Sequence, residues 1–310
     1  MSNHGGPAVA LVGPTASGKS ALAHHLGLEH RDVTVLCVDA MTVYRGMDIG
    51  TAKPTRAERQ EVRYELLDLV DPSEEFTLYE FQRAARESAH DAWQRGEAVL
   101  YVGGTGLYGR AVLDDFEIPR QYPEVRDALE RRRDDLAGLY EELRQLDPVA
   151  AGRMEPNNER RILRALEVTL GSGRPFSSYG PGLRTYGPVR VVQVGLRVDF
   201  DQLDERIERR FRDWLDRGLL DEVRSLASRA GGLGRTARQA VGYRELLRHV
   251  ELGADLEDCV RDAITQSKRL ARRQRSWFSR DPRIEWFDDA PRAAARLDDV
   301  LHRADGFVRD

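Results

Sequence analysis

The chain reads as an α/β protein with a parallel sheet core and an all-helical insertion, on three observations. Apolar runs at 8–12, 33–38 and 98–102 are short and nearly unbroken, as in strands buried on both faces. Helical segments alternate with those runs, the pattern of a parallel sheet whose loops gather at the strands' C-terminal edge. From about 120 to 170 the chain becomes rich in Arg, Glu, Asp and Leu, with no strand-like run.

Each element follows in order. Ala8 to Val12 is a strand, and it runs into Gly13-Pro14-Thr15-Ala16-Ser17-Gly18-Lys19-Ser20. That string fits G-x-x-x-x-G-K-[ST] at every fixed position, and Ala21-Leu22-Ala23 opens a helix after it. Glycines let such a loop fold tightly, so that backbone N–H groups and the helix N-terminus face one anion. The core is therefore P-loop NTPase-like. Lysine is scarce here, with three among 48 basic residues, so Lys19 in this string carries extra weight. Lysine presents a compact, mobile ammonium where arginine presents a broad fork. Lys19 would neutralise phosphate, and the Ser20 hydroxyl would ligate Mg²⁺. A glycine-rich turn that binds nothing is the plainer alternative.

Val33 to Val38 is the next strand, ending at Asp39, and a loop with Gly46, Gly50 and Pro54 follows. A helix is predicted over 76–95, closed by Gly96, then a strand over 98–102 ending in Gly103-Gly104-Thr105-Gly106. Asp39, Thr105 and the phosphate loop should converge on one sheet edge. Beyond Pro119, helices are predicted over 123–133, 135–146 and 158–170, the last capped by Asn157 or Asn158. A Gly/Pro/Ser/Tyr-dense loop spans 171–188, a strand returns over 189–196, and 201–217 carries an apolar stripe of Ile207, Phe211, Trp214 and Leu215. The remainder is expected to be mostly helical. The division is thus a core of 1–118 and 188–310, interrupted by a helical insertion of 119–187.

Bulk properties narrow the class. Charged residues make up 32% and hydrophobic residues 41%, and no apolar run approaches the ~20 residues of a membrane span. No basic stretch precedes the first apolar run, so a secretory leader is not expected. Cys37 and Cys259 lack metal-site spacing and read as buried thiols of a reducing cytoplasm. No long apolar seam is evident, so a monomer is expected.

Several residues are candidates for chemistry. An aspartate at a strand end beside a phosphate loop can hold Mg²⁺, accept a proton from a nucleophile, or simply anchor a loop. Lys53 lies in the same loop as Asp39 and favours the functional readings. Thr105 follows glycines that would let a ligand approach the backbone. From Lys268 to Arg280 there are six basic residues and no acid, with Gln274, Trp277 and Phe278 interleaved. Arg269, Arg272, Arg273 and Ser276 share one helical face, while Leu270, Gln274 and Trp277 lie on another. Such a face suits nucleic acid, or a solvated helix packed on acidic neighbours. Arg160, Arg161 and Arg164 form a second basic stretch.

Taken together, GPTASGKS, VYRGMDIGTAKP, GGTGLY, RRILRALEV, QAVGYRE and KRLARRQRSWF resemble, in that order, the tRNA dimethylallyltransferase family. The likeness spans nearly the whole chain and is of bacterial type, without a zinc finger. It implies transfer of a dimethylallyl group from its pyrophosphate to the exocyclic amine of the adenosine 3′ of the anticodon. The acceptor tRNAs would read codons beginning with U. Carried over by position, Asp39 would be the general base and Thr105 a catalytic contact near the reacting centre. Gly13, Thr15, Ala16, Ser17, Gly18, Lys19 and Ser20 would bind pyrophosphate with Mg²⁺. The tRNA anticodon stem-loop would meet Asp39, Ala40, Met41, Thr42, Thr105, Arg126, Arg160, Arg161, Arg164, Gln239, Gly242, Tyr243, Arg244, Arg273, Gln274 and Arg275. The family's usual Asp-Ser-Met-Gln is here Asp39-Ala40-Met41-Thr42, which removes a hydroxyl and an amide. Two other classes compete. One is a kinase, with ATP phosphates clamped by Arg206, Arg209 and Arg210; the other is a nucleotide-gated RNA-binding protein.

Overall fold

A computed structural model describes residues 6–308. Its centre is a six-stranded, all-parallel sheet of order β3-β2-β4-β1-β5-β6. In chain order, β1 is Ala8–Val12, helix α1 Lys19–Glu29, β2 Val33–Cys37, β3 Tyr64–Glu65, α2 Leu78–Gln94, β4 Ala98–Gly103 and α3 Gly106–Leu113. Side chains alternate across the sheet as strand geometry requires. Val9, Leu11, Val35, Leu100 and Val102 pack with Leu22 and Leu26 of α1. Ala10, Leu36, Val99 and Tyr101 pack on the other face with Phe81, Ala85 and Ala89 of α2. Both faces are covered, which is why these strands are apolar at nearly every position.

Helix α2 starts where its chemistry dictates. Glu80 N donates to Thr77 Oγ1 at 3.2 Å, and Thr77 N donates to Glu80 Oε2 at 2.7 Å. This capping box fixes the start one residue after Thr77, not at Phe76.

The chain leaves β1 towards β2, passing over β4, and later leaves β4 towards β5, passing over β1. The two crossings run in opposite directions between β1 and β4. A crevice at such a reversal, beyond the strands' C-terminal ends, is where open parallel sheets bind ligands.

Residues Asp114–Gly187 form a separate compact unit. It is built from α4 (Pro123–Glu130), α5 (Leu136–Leu146) and α6 (Glu159–Ser172), around Leu129, Leu139, Leu143, Ile162, Leu163 and Leu166. Asp135 and Asn158 cap α5 and α6, accepting from Gly138 N at 3.0 Å and Arg161 N at 3.3 Å.

Back in the first unit come β5 (Val192–Leu196), α7 (Phe200–Asp216), α8 (Leu219–Ala227), α9 (Tyr243–Leu252), α10 (Leu256–Phe278), β6 (Ile284–Phe287) and α11 (Ala290–Val308). The C-terminal stretch is mostly helical, as expected, with one edge strand, β6, that the sequence pattern does not reveal. Four residues at a half-buried edge are too few to show a strand period. Strand β3, of two residues, is invisible to pattern for the same reason. Cys259 is buried, whereas Cys37, expected in the core, is partly exposed at the end of β2. Among the described residues, no helix is long and apolar enough to cross a membrane.

Candidate active site

The phosphate loop leaves β1 through backbone conformations that few side chains tolerate. Gly13 has φ +144°, Ala16 +63° and Gly18 +99°. Ala16 is left-handed without being glycine, a strain that a ligand-cradling turn can hold. Lys19 opens α1 and is buried. Its Nζ donates to the Pro14 carbonyl at 2.6 Å, so the ammonium folds back over its own loop. Burial lowers its pKa to about 7, helped by the Arg210 charge and opposed by Asp39. An arriving phosphate would restore the charge.

Two distant helices complete this loop. Thr15 N donates to Gln274 Oε1 on α10 at 2.8 Å, and Arg210 Nη2 of α7 donates to Thr15 Oγ1 at 2.7 Å. Arg210 lies over the Trp214 ring at 4.5 Å, and burial lowers its pKa to about 10. Its Nε is buried without a hydrogen-bond partner. A guanidinium so placed has capacity left for an anion. The leading sequence reading gave Arg210 no role. Its position between Ile207 and Trp214, flanking the buried stripe of α7, is the signal that points to it.

Asp39 and Thr105 meet beside the loop. Cys37 of β2 pairs with Val102 of β4, so the residues just beyond each strand lie together. Thr105 Oγ1 donates to Asp39 Oδ2 at 3.0 Å, and Met41 N donates to Oδ1 at 2.9 Å. Burial raises the Asp39 pKa, while these hydrogen bonds and the Lys19 charge pull it back. The result is a carboxylate more basic than a solvated one, held in one orientation.

Glycines make the approach possible. A Cβ on Gly103 would lie 2.1 Å from the Val38 carbonyl oxygen, and one on Gly106 would lie 2.1 Å from the Trp277 ring. Thr105 borders a small apolar pocket of about 10 Å³, walled by Val12, Val38, Tyr101, Leu113 and Phe278.

The segment 46–54 is a scaffold. Lys53 Nζ donates to the Tyr44 carbonyl at 2.6 Å, to Asp48 Oδ1 at 2.8 Å and to Asp68 Oδ1 at 2.6 Å. These partners account for all three ammonium protons, so Lys53 holds the loop and is not turned to a ligand. Glu222 of α8 accepts from the N–H groups of Asp48 (3.0 Å), Ile49 (2.9 Å) and Gly50 (3.4 Å), and from the Tyr243 hydroxyl at 2.5 Å.

The remaining sequence candidates divide by exposure. Arg160, Arg161, Gln239, Arg244 and Arg273 are exposed, and Ala40 and Met41 are half-exposed. Thr42, Gly242 and Tyr243 are buried. Tyr243 packs against Gly50, and burial with the nearby Glu222 charge raises its pKa strongly, so its hydroxyl stays a donor. Its surroundings give it a loop-holding place instead of an exposed contact. Arg244 Nε donates to Glu245 Oε1 at 2.8 Å. Arg275 donates to the Val198 carbonyl at 2.9 Å and stacks on Phe200 at 4.5 Å. Within the second unit, Arg164 donates to buried Glu167 at 2.6 Å and to the Pro119 carbonyl at 2.8 Å, and Arg126 pairs with Glu130 at 2.7 Å.

A parallel sheet thus brings a glycine-rich loop with a buried lysine and a carboxylate–hydroxyl pair to one edge. The IPP transferase family model matches residues 42–281, and the chain belongs to that family. A tRNA dimethylallyltransferase of Bifidobacterium animalis subsp. lactis is 44% identical over 288 residues, covering 91% of this chain and 82% of that protein. One from Kineococcus radiotolerans is 46% identical, covering 94% and 93%. The full-length tRNA isopentenylpyrophosphate transferase of Bacillus halodurans has a similar structure: TM-score 0.69, 33% identity, 98% of this chain and 99% of that one. A eukaryotic dimethylallyltransferase acting on tRNA gives a TM-score of 0.78 at 25% identity, over 96% and 80%.

Proposed function

We propose that this enzyme transfers a dimethylallyl group from dimethylallyl pyrophosphate to the exocyclic amine of the adenosine 3′-adjacent to the anticodon. Its tRNAs read codons that begin with U, and pyrophosphate is released. The observation that carries this reading is the Thr105–Asp39 hydrogen bond set beside a phosphate loop with a buried lysine. The family and its tRNA-modifying relatives supply the substrates.

In this reading the pyrophosphate sits in the cradle of 13–20, against Lys19 and Arg210. The allylic chain lies along the apolar wall behind Thr105. An adenine amine is a weak nucleophile because its lone pair is delocalised into the ring. Asp39 takes its proton as the N–C bond forms and the C–O bond to pyrophosphate breaks. Thr105 orients Asp39. Lys19 and Arg210 stabilise the charge that develops on the leaving group.

Ser20 presents an exposed hydroxyl at the first turn of α1, a hard oxygen donor suited to Mg²⁺. When bound, that ion would neutralise part of the pyrophosphate charge.

The acceptor base must leave its stack to reach such a crevice. We assign anticodon stem-loop binding to the segments 39–42, 160–164, 239–244 and 273–275, with Arg126. Buried Tyr243 acts within them by holding its neighbours. We further read the enzyme as a cytoplasmic monomer.

Incubation with unmodified tRNA, Mg²⁺ and radiolabelled dimethylallyl pyrophosphate tests the proposal, with ATP in a parallel tube. Label on the adenosine beside the anticodon is the expected result. Absence of label, with ATP consumed on a small acceptor, would replace this reading with a kinase.

A further inference from the structure

At the far end of α1 from the phosphate loop, roughly 16 Å along the helix, lies a cluster that the transfer chemistry does not use. His30 follows α1 as its cap residue. Asp298 and His302 stand one turn apart on α11, at the i,i+4 spacing that puts two side chains on one face. Their three candidate donor atoms all lie within 4.8 Å of one another. His30 Nε2 is 2.6 Å from Asp298 Oδ1, and His302 Nδ1 is 3.2 Å from the same oxygen. The two imidazoles meet edge to face at 5.0 Å.

We propose that His30, Asp298 and His302 form a zinc-binding clasp between α1 and the C-terminal helix. Two imidazole nitrogens and one carboxylate oxygen are a borderline donor set, suited to Zn²⁺ and unlike the all-oxygen shells of Mg²⁺. Tetrahedral coordination with metal–ligand distances near 2.1 Å sets donors about 3.3 Å apart. The Asp298–His302 separation already matches, though His302 Nδ1 must release its proton and its 3.0 Å hydrogen bond to the Asp298 carbonyl. The Asp298–His30 hydrogen bond must open by about 0.7 Å to admit the ion.

His30 is 9% exposed, Asp298 40% and His302 63%, so the cluster is buried on one side and open to water on the other. The open side leaves the fourth position to water, which makes this an exchangeable site and not a closed structural one. The clasp extends an existing apolar contact, since Ala293, Leu297 and Leu301 pack with Leu22 and Leu26.

The test uses the untagged full chain, stripped with chelator and titrated with zinc chloride by calorimetry. One equivalent should bind. At about 100 µM zinc the melting temperature should rise by roughly 3–5 °C, because the ion binds the folded state. Cobalt should give the intense visible absorption of a tetrahedral site. His302→Ala, a change at an exposed position, should weaken binding at least about tenfold and erase the thermal shift, with prenyl transfer unchanged. Asp298→Asn should weaken it similarly. No stoichiometric binding, or equal binding by the unmutated chain and both variants, would overturn the proposal. The three side chains would then be a hydrogen-bonded cluster only.

Discussion

Thr105 Oγ1 donates a hydrogen bond to Asp39 Oδ2 at 3.0 Å, tying together the ends of the neighbouring strands β4 and β2. Asp39→Asn keeps the size and loses the base. Turnover should fall by about 10²–10⁴-fold while tRNA affinity changes little. Thr105→Ala should have a smaller effect, since the carboxylate remains. Single-turnover rates equal to those of the unmutated enzyme would remove Asp39 from the chemistry.

The buried Lys19 is expected to make donor binding pH-dependent. With a pKa of about 7 in the free protein, it is charged below that value and progressively neutral above it. Pyrophosphate favours the charged form, so donor affinity should weaken as pH rises past about 7, with proton uptake on binding. The stability sign is opposite. The folded pKa is depressed from 10.5, so the unfolded chain binds more protons between the two values. This group's contribution therefore favours folding increasingly as pH climbs from 7 to 10.5. Calorimetry in buffers of different ionisation enthalpy checks the first statement, and melting curves of Lys19→Met against the unmutated chain check the second.

Salt dependence separates the arginines of α10. Arg273 is exposed, whereas Arg275 is tied to the Val198 carbonyl and stacked on Phe200. Arg273→Ala should flatten the slope of log affinity for tRNA against log salt by about one unit. Adding Arg275→Ala should weaken binding further. An unchanged slope in the double variant would mean that this helix does not meet phosphate.

Glu222 holds three consecutive N–H groups and the Tyr243 hydroxyl. Glu222→Gln keeps the shape but places an amide NH₂ against donors. We expect KM for tRNA to rise roughly tenfold, with dimethylallyl pyrophosphate affinity unchanged, because the loop continues from Asp39–Thr42. Equal losses for both substrates would point to general unfolding instead.

Gly103→Ala should cost about 1–3 kcal/mol of stability, read by urea unfolding. The new methyl meets a backbone oxygen, which cannot turn aside.

Much of this arrangement is legible in the sequence, for a physical reason. Strands buried on both faces are apolar throughout, and the phosphate loop fixes where β1 ends. The meeting of the loop, Asp39 and Thr105 at one edge then follows from topology. What was not legible depends on partners far along the chain. Gln274 reaches Thr15, Arg210 reaches Thr15, and Glu222 reaches Asp48, across separations of 259, 195 and 174 residues. No local pattern encodes such contacts. Lys53 illustrates the converse: its rarity drew attention to function, and the structure gives it three ligands of its own. Strand β6 escaped because an edge of four residues has no period to show.

The Gly50–Tyr243–Glu222 arrangement has a consequence for descent. A Cβ at position 50 would lie 2.5 Å from the Tyr243 ring, and the same tyrosine shares its carboxylate with the backbone at 48–50. No one of the three can drift while the others stand still. Across lineages, substitutions at 50, 222 and 243 should therefore appear together or not at all, so that a segment and two remote helices are inherited as one trait.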